Sequence, residues 1–174
     1  MSKKKIVIEP NPILRKKSNI LEKVDGELRK LMDDMLETMY DAPGIGLAAV
    51  QIGVLKRVIV IDIAKGDEKK NPLFLVNPEI TFRSSKTSTY EEGCLSLPSH
   101  FAEVERPAEC HLNFIDYNGK KKDLKASGLL ATCIQHEVDH LDGILFIDHI
   151  SKLKRDMIIK KLIKSKKELD KVIL

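Results

Sequence analysis

The chain has 174 residues, 43% of them hydrophobic and 32% charged. This suits one soluble domain that buries roughly 70% of its unfolded surface without disulfide staples. No apolar run approaches the ~20 residues of a membrane span, and only Ile6-Val7-Ile8 separates the basic start from Glu9 and Pro10, too little for a secretory signal core, so a cytoplasmic protein without a membrane partner is expected. The net charge of +4 is unevenly placed: residues 151–174 carry nine Lys/Arg against Asp156, Glu168 and Asp170, a segment of +6 on a body of about −2, which points to an anionic partner such as nucleic acid.

In chain order, Asp25 offers an N-cap to a helix in which Leu28, Leu31, Met32, Met35, Leu36, Met39 and Tyr40 recur with helical period, until Asp41-Ala42-Pro43-Gly44 stops it. A glycine-bearing loop, Gly44–Gln51, leads to a strand at Val58–Ile61. Further strands are predicted at Leu73–Val76 and Ile80–Phe82, and at Cys110–Ile115 paired with Lys121–Ala126 across the hairpin signal Asn118-Gly119. Ser127 and Gly143 bracket a second helix as cap and stop. A third runs from Lys152 to about Leu169, with Leu153, Met157, Ile158, Leu162 and Ile163 as its apolar stripe. Strands grouped in the middle, helices at the start, late and at the end, and no internal repeat predict an α+β fold.

The second helix carries Gln135-His136-Glu137-Val138-Asp139-His140-Leu141, an HExxH pattern. Histidines at i and i+4 share one helix face and suit a single metal ion. The glutamate between them can take a proton from a water that the metal activates. The bland alternative, two solvent-facing histidines, is weakened by Leu129, Leu130, Ile134 and Leu141 around them. Buried histidines and a glutamate need partners, because leaving them unsatisfied costs several kcal/mol.

A hydrolytic site wants a third protein ligand. A histidine six residues after His140 would complete one peptidase pattern, but Phe146 stands there. The one downstream glutamate is Glu168, in the basic tail. Three cysteines remain, and an odd number in a reducing compartment argues for thiols that are structural, catalytic or metal-bound. Cys110 reads as a small buried hydrophobe in a strand. Cys133 lies one turn before His136, and Cys94 lies in a bend between Gly93 and Pro98 that can aim a thiolate and a backbone N–H at one point. The residues alone favour Cys94 over Cys133 and leave both open. An HExxH metallo-endopeptidase is the alternative function at this stage.

Three blocks, GIGLAAVQ at 44–51, EGCLSLP at 92–98 and QHEVDHLDG at 135–143, together resemble the peptide deformylase family in order and spacing. The resemblance implies a single metallohydrolase domain over residues 1–174, with mostly antiparallel sheets packed around a central HExxH helix, an N-terminal helix, and 151–174 as a C-terminal basic helix. It implies removal of the formyl group from the N-terminal formyl-methionine of nascent polypeptides, with release of formate. Cys94, His136 and His140 become the ligands of one divalent metal ion per chain. Fe2+ is expected by resemblance, while the donors also suit Zn2+, Ni2+ or Co2+.

By the same resemblance, Glu137 is the general base and acid, and the Leu95 N–H and the Gln51 amide stabilise the oxyanion. Gly46 allows close substrate approach, and Ile45, Leu129 and Cys133 line a methionine pocket with Glu92 near its rim. The family's helical C-terminus implies ribosome docking, and a monomer is expected. Tyr90, Thr132 and Ser99-His100-Phe101 depart from residues common in relatives, and His100, His111 and His149 are assigned surface or structural roles.

Overall fold

A computed structural model describes residues 2–173. Three α-helices, α1 (Gly26–Asp41), α2 (Gly128–Leu141) and α3 (Lys152–Ile173), are combined with two antiparallel sheets. The larger sheet has the order β1-β2-β3-β6-β7, from β1 (Gly46–Ala48), β2 (Val58–Ile61), β3 (Leu73–Arg83), β6 (Glu109–Ile115) and β7 (Lys121–Ser127). The smaller pairs β4 (Thr87–Cys94) with β5 (Leu97–Pro107).

The continuous apolar run of β2 follows from burial on both faces. Val58 and Val60 cluster with Leu28, Met32, Met35 and Met39 of α1, whereas Ile59 and Ile61 cluster with Ala131, Ile134, Val138 and Leu141 of α2. Successive side chains of a strand point to opposite faces, so the sheet lies between α1 and α2. Ten of the fourteen residues of α2 are buried, and this central position carries the HExxH residues into the interior. The α+β architecture expected from the sequence is present.

Local chemistry accounts for most boundaries. The Asp25 carboxylate accepts from the Leu28 N–H at 2.9 Å and caps α1. Gly143 ends α2 with φ 75°, and a Cβ there would lie 2.3 Å from the Arg15 carbonyl oxygen.

Several expectations need correction. Ser127 precedes α2 in extended conformation, but its side chain makes no capping bond. The segments 73–76 and 80–82 are one strand, β3, with register shifts between Val76 and Glu79 and between Ile80 and Phe82. Asn77-Pro78 reads like a turn, yet a bulge accommodates proline inside a strand. Asn77 takes φ 49° and its amide bonds both the N–H and the carbonyl of Leu21.

The strands β4 and β5 are not anticipated by apolar alternation, because most of their side chains are exposed or only partly buried. The loop 44–51 holds β1 and runs into a short 3-10 turn, Ala49–Ile52. In α3, Ile158, Ile159 and Leu162 pack onto Leu97, Phe146 and Ile147, whereas Leu153 and Met157 are exposed. At about 100° per residue, Leu153 lies about 140° around the helix from Ile158, off the packed face. No helix among the described residues is long and apolar enough to cross a membrane.

Candidate metal centre

Three segments meet at one cavity of about 450 Å3: the β1 edge with its 3-10 turn, the bend between β4 and β5, and the middle of α2. The N-terminal segment ties two of them together. The Val7 N–H donates to the Gln51 carbonyl at 2.7 Å and the Glu9 N–H to the Ser96 carbonyl at 2.9 Å. A register shift after Gly93 leaves Cys94 opposite Leu97, so the bend is tight and its thiol points toward α2.

Cys94 Sγ lies 3.2 Å from His140 Nε2, and one donor atom from each of Cys94, His136 and His140 lies within 4.8 Å of the others. The Nδ1 of His136 meets Glu92 Oε1 at 2.8 Å, which leaves Nε2 for the cluster. Both histidines are buried. Their rings are 5.1 Å apart, nearly perpendicular, and Phe146 stacks on His136 at 6.1 Å. The position that rules out a third histidine therefore holds a ring that fixes the first one. Cys133, the competing thiol, donates instead toward the Ile45 carbonyl at 3.9 Å.

The donor set fits a cation. One soft sulfur and two imidazole nitrogens converge, and Glu137 Oε2 is buried beside them without a protein partner. Burial, and then the charge of His136, holds His140 well below its ordinary value, as a neutral ligand requires. His136 is different. Burial alone would lower it, but its bonds to Cys94 and Glu92 raise it well above the usual range, and a bound cation would have to displace that proton. Burial pushes the Glu137 carboxyl up to about 7.

Glu92 needs correction as a rim residue. It is buried, and its carboxylate accepts from Arg106 Nε at 2.7 Å and Nη2 at 3.0 Å as well as meeting His136. Burial would raise this carboxyl, but the His136 and Arg106 bonds overcome it and hold it low. The carboxylate orients a candidate ligand and is not free for substrate. Arg106 also donates to Asp139 at 2.8 Å, and Asp139 meets His149 Nε2 at 2.8 Å. Sequence reasoning missed Arg106 and Asp139 as a support for the site; His149, expected in a surface or structural role, closes this chain of contacts with its imidazole.

The remaining candidates also gather here. Ile45, Gly46, Gln51, Glu92, Leu95, Leu129 and Cys133 line the cavity together with Cys94, His136 and Glu137, while His140 lies behind, 1% exposed. The Gln51 Nε2 donates to Ser96 Oγ at 3.1 Å and toward Cys94 Sγ at 3.4 Å, with its Oε1 accepting from the Ala48 N–H. Ser96, fully buried, is a further residue that sequence reasoning passed over. A Cβ at Gly46 would lie 2.4 Å from Glu137 Oε1, so the room left by that glycine is occupied by the glutamate. Tyr90, Thr132, Ser99, His100 and Phe101 line the cavity too.

The family described as polypeptide deformylase matches residues 3–156 of the chain. A protein named peptide deformylase from Pelagibacter ubique is 63% identical over 166 residues, covering 95% of this chain and 96% of that protein. A namesake from Agrobacterium fabrum is 58% identical over 165 residues, covering 95% and 97%. Among solved structures, that of peptide deformylase from Ehrlichia chaffeensis in complex with actinonin superposes with a TM-score of 0.91 at 43% identity, covering 95% of this chain and 98% of that one. A peptide deformylase from Legionella pneumophila gives 0.89 at 44% identity, covering 97% and 98%.

Proposed function

This chain belongs to the polypeptide deformylase family, and from that membership and the site geometry we propose how its residues carry out the reaction. The enzyme is a metal-dependent hydrolase that removes the N-formyl group from nascent peptides. We assign Cys94, His136 and His140 as the ligands and Fe2+ as the native ion, with Zn2+, Ni2+ and Co2+ compatible with the same donors. The observation that carries this reading is the meeting of the Cys94 thiol, from a bend between two strands, with both histidines of α2.

When bound, the cation supplies Lewis-acid polarisation of water and of the formyl oxygen. Glu137, buried with one unpartnered oxygen, accepts the proton of the attacking water and returns it to the leaving amine. An acceptor raised to about 7 is matched to a proton that must be taken and given back near neutral pH. The Leu95 N–H and the Gln51 amide are assigned to the oxygen on which negative charge develops. Gln51 exchanges its bond toward Cys94 or Ser96 for the substrate when it does so. Ile45, Leu129 and Cys133 form the apolar wall for methionine, and Gly46 gives Glu137 its place.

We further propose a monomeric cytoplasmic enzyme, one metallohydrolase unit over residues 1–174, whose basic segment 151–174 docks on the ribosome. The test is formate release from formyl-Met-Ala-Ser. Formate with intact internal amide bonds is expected, and cleavage of an internal bond would favour an endopeptidase instead. In parallel, Cys94→Ser should lose bound metal by elemental analysis while Cys133→Ser retains it. The reverse pattern would overturn the ligand assignment.

A further inference from the structure

The segment that brings Ile45 to the cavity is short, and one buried residue holds both of its ends. Ala42-Pro43-Gly44-Ile45 connects the end of α1 to β1, and all four residues line the cavity. Just before this segment, in the last turn of α1, the Tyr40 hydroxyl donates to Asp62 Oδ2 at 2.5 Å. At its far end, the Asp62 N–H donates to the Ile45 carbonyl at 2.9 Å. That second bond extends by one residue the β1–β2 ladder, in which Gly46 faces Ile61. Asp62 thus fixes the whole span from Tyr40 to Ile45.

Both anchors are constrained in turn. Asp62 is buried, and its carboxylate also accepts from the Ala64 N–H and the Asn71 N–H, each at 3.0 Å. These donors satisfy a group whose burial would otherwise be costly. Lys70 Nζ lies 4.0 Å from the centroid of the Tyr40 ring and holds it in place. Burial, and then the bond to Asp62, raise the Tyr40 phenol far above its ordinary value, so its hydroxyl keeps its proton and remains the donor. The span between the anchors is closely packed. The Gly44 N–H donates to the Met39 carbonyl at 2.9 Å, and a Cβ at Gly44 would lie 2.8 Å from Leu95 Cδ1. Neither Tyr40 nor Asp62 lines the cavity, so any part they play is indirect.

We propose that Tyr40, acting through Asp62, is a positioning residue that sets Ile45 in place before substrate arrives. The inference rests on the deformylase reading, which makes Ile45 part of the methionine wall. With the Tyr40 bond intact, the wall stands preformed and binding does not have to order it. Without that bond the α1 end of the span is released, and binding carries the cost of ordering the segment. Glu137 and the three metal ligands stand on α2 and at the end of β4. The loss therefore falls on substrate binding, read in KM, and leaves kcat.

The test is Tyr40→Phe in the metal-loaded full chain, read by formate release from formyl-Met-Ala-Ser. Phenylalanine keeps the ring under Lys70 and removes only the hydroxyl. KM should rise about three- to tenfold, the scale of ordering a loop side chain, with kcat within about twofold of wild type. Bound metal should be unchanged by elemental analysis. Tyr117→Phe is the control: its hydroxyl also donates to an aspartate, Asp33 of α1, at 3.1 Å, and neither residue lines the cavity. That variant loses a similar bond and should keep the wild-type KM. An unchanged KM in Tyr40→Phe overturns the inference, as does a fall in kcat with KM intact. An equal rise in Tyr117→Phe overturns it too, because the effect would then follow general loosening of the fold. If the wild type releases no formate, the deformylase reading falls and this inference with it. Formate release by the wild type with the same KM in Tyr40→Phe removes this inference alone.

Discussion

At the scale of single residues, the site is decided by close packing around Glu137. The residue is 4% exposed, and its carboxyl is raised to about 7 by burial and set against the bare Cα of Gly46. Gly46→Ala places a methyl group within 2.4 Å of Glu137 Oε1, in a contact that only a shift of the carboxylate can relieve. A displacement of about 1 Å in a catalytic group costs on the order of 100-fold in rate. The expected outcome is therefore a kcat lowered by roughly that factor with bound metal unchanged, checked by formate release and elemental analysis. A rise in KM with kcat intact would instead mean that the glycine serves substrate approach. His136, Glu137 and His140 were legible in the sequence because helical spacing alone puts them together. Cys94 became legible through the surrounding EGCLSLP block. Arg106 was not, because nothing local links it to Glu92: the two are fourteen positions apart in the chain, and since β4 and β5 pair Arg106 with Ser88, only its long side chain reaches the carboxylate.

At the scale of elements, the helices and the buried strands could be read and the β4–β5 pair could not. Sequence periodicity reports burial on one face. Thr87–Glu91 and Ser99–Glu103 alternate little between apolar and polar residues because the two-stranded sheet is covered on few of its positions. The same limit split β3 at Asn77-Pro78, where the ladder tolerates a bulge. The end of α2 gives the opposite case, a boundary stated by one glycine. Gly143 combines φ 75° with an approach to the Arg15 carbonyl that leaves no room for a Cβ. Alanine there should lower stability by about 1–3 kcal/mol, through left-handed strain and a backbone clash. Asparagine tolerates the left-handed region but brings the same Cβ, so Gly143→Asn separates the two causes. Because the clash is with backbone, Asn is expected to fare little better than Ala in urea unfolding at fixed metal loading. Full recovery in Asn would assign the cost to φ alone.

At the scale of the whole molecule, charge and chemistry occupy different parts. The cavity is lined from β1, the β4–β5 bend and α2, and no lining residue comes from α3. The helix attaches by a narrow apolar contact, Ile158, Ile159 and Leu162 on Leu97, Phe146 and Ile147. Lys160, Lys161, Lys164 and Lys167 are exposed beyond it. The basic residues of this helix are turned to solvent, so a polyanion can engage them while the apolar face stays packed on Leu97 and Phe146. Removing the charges should then separate docking from catalysis. Alanine at Lys160, Lys161, Lys164 and Lys167 keeps helix propensity and takes away four cations. If these lysines meet ribosomal RNA phosphates, each contributes close to one unit to the slope of log affinity against log salt. The quadruple variant should bind ribosomes roughly tenfold or more weakly in low salt, with a slope shallower by about three, as read by cosedimentation across a salt series. Its kcat/KM on formyl-Met-Ala-Ser should stay at the wild-type value, since none of the four lines the cavity. Ribosome binding unchanged in both affinity and salt slope would remove the docking role and leave α3 as a solvated basic helix.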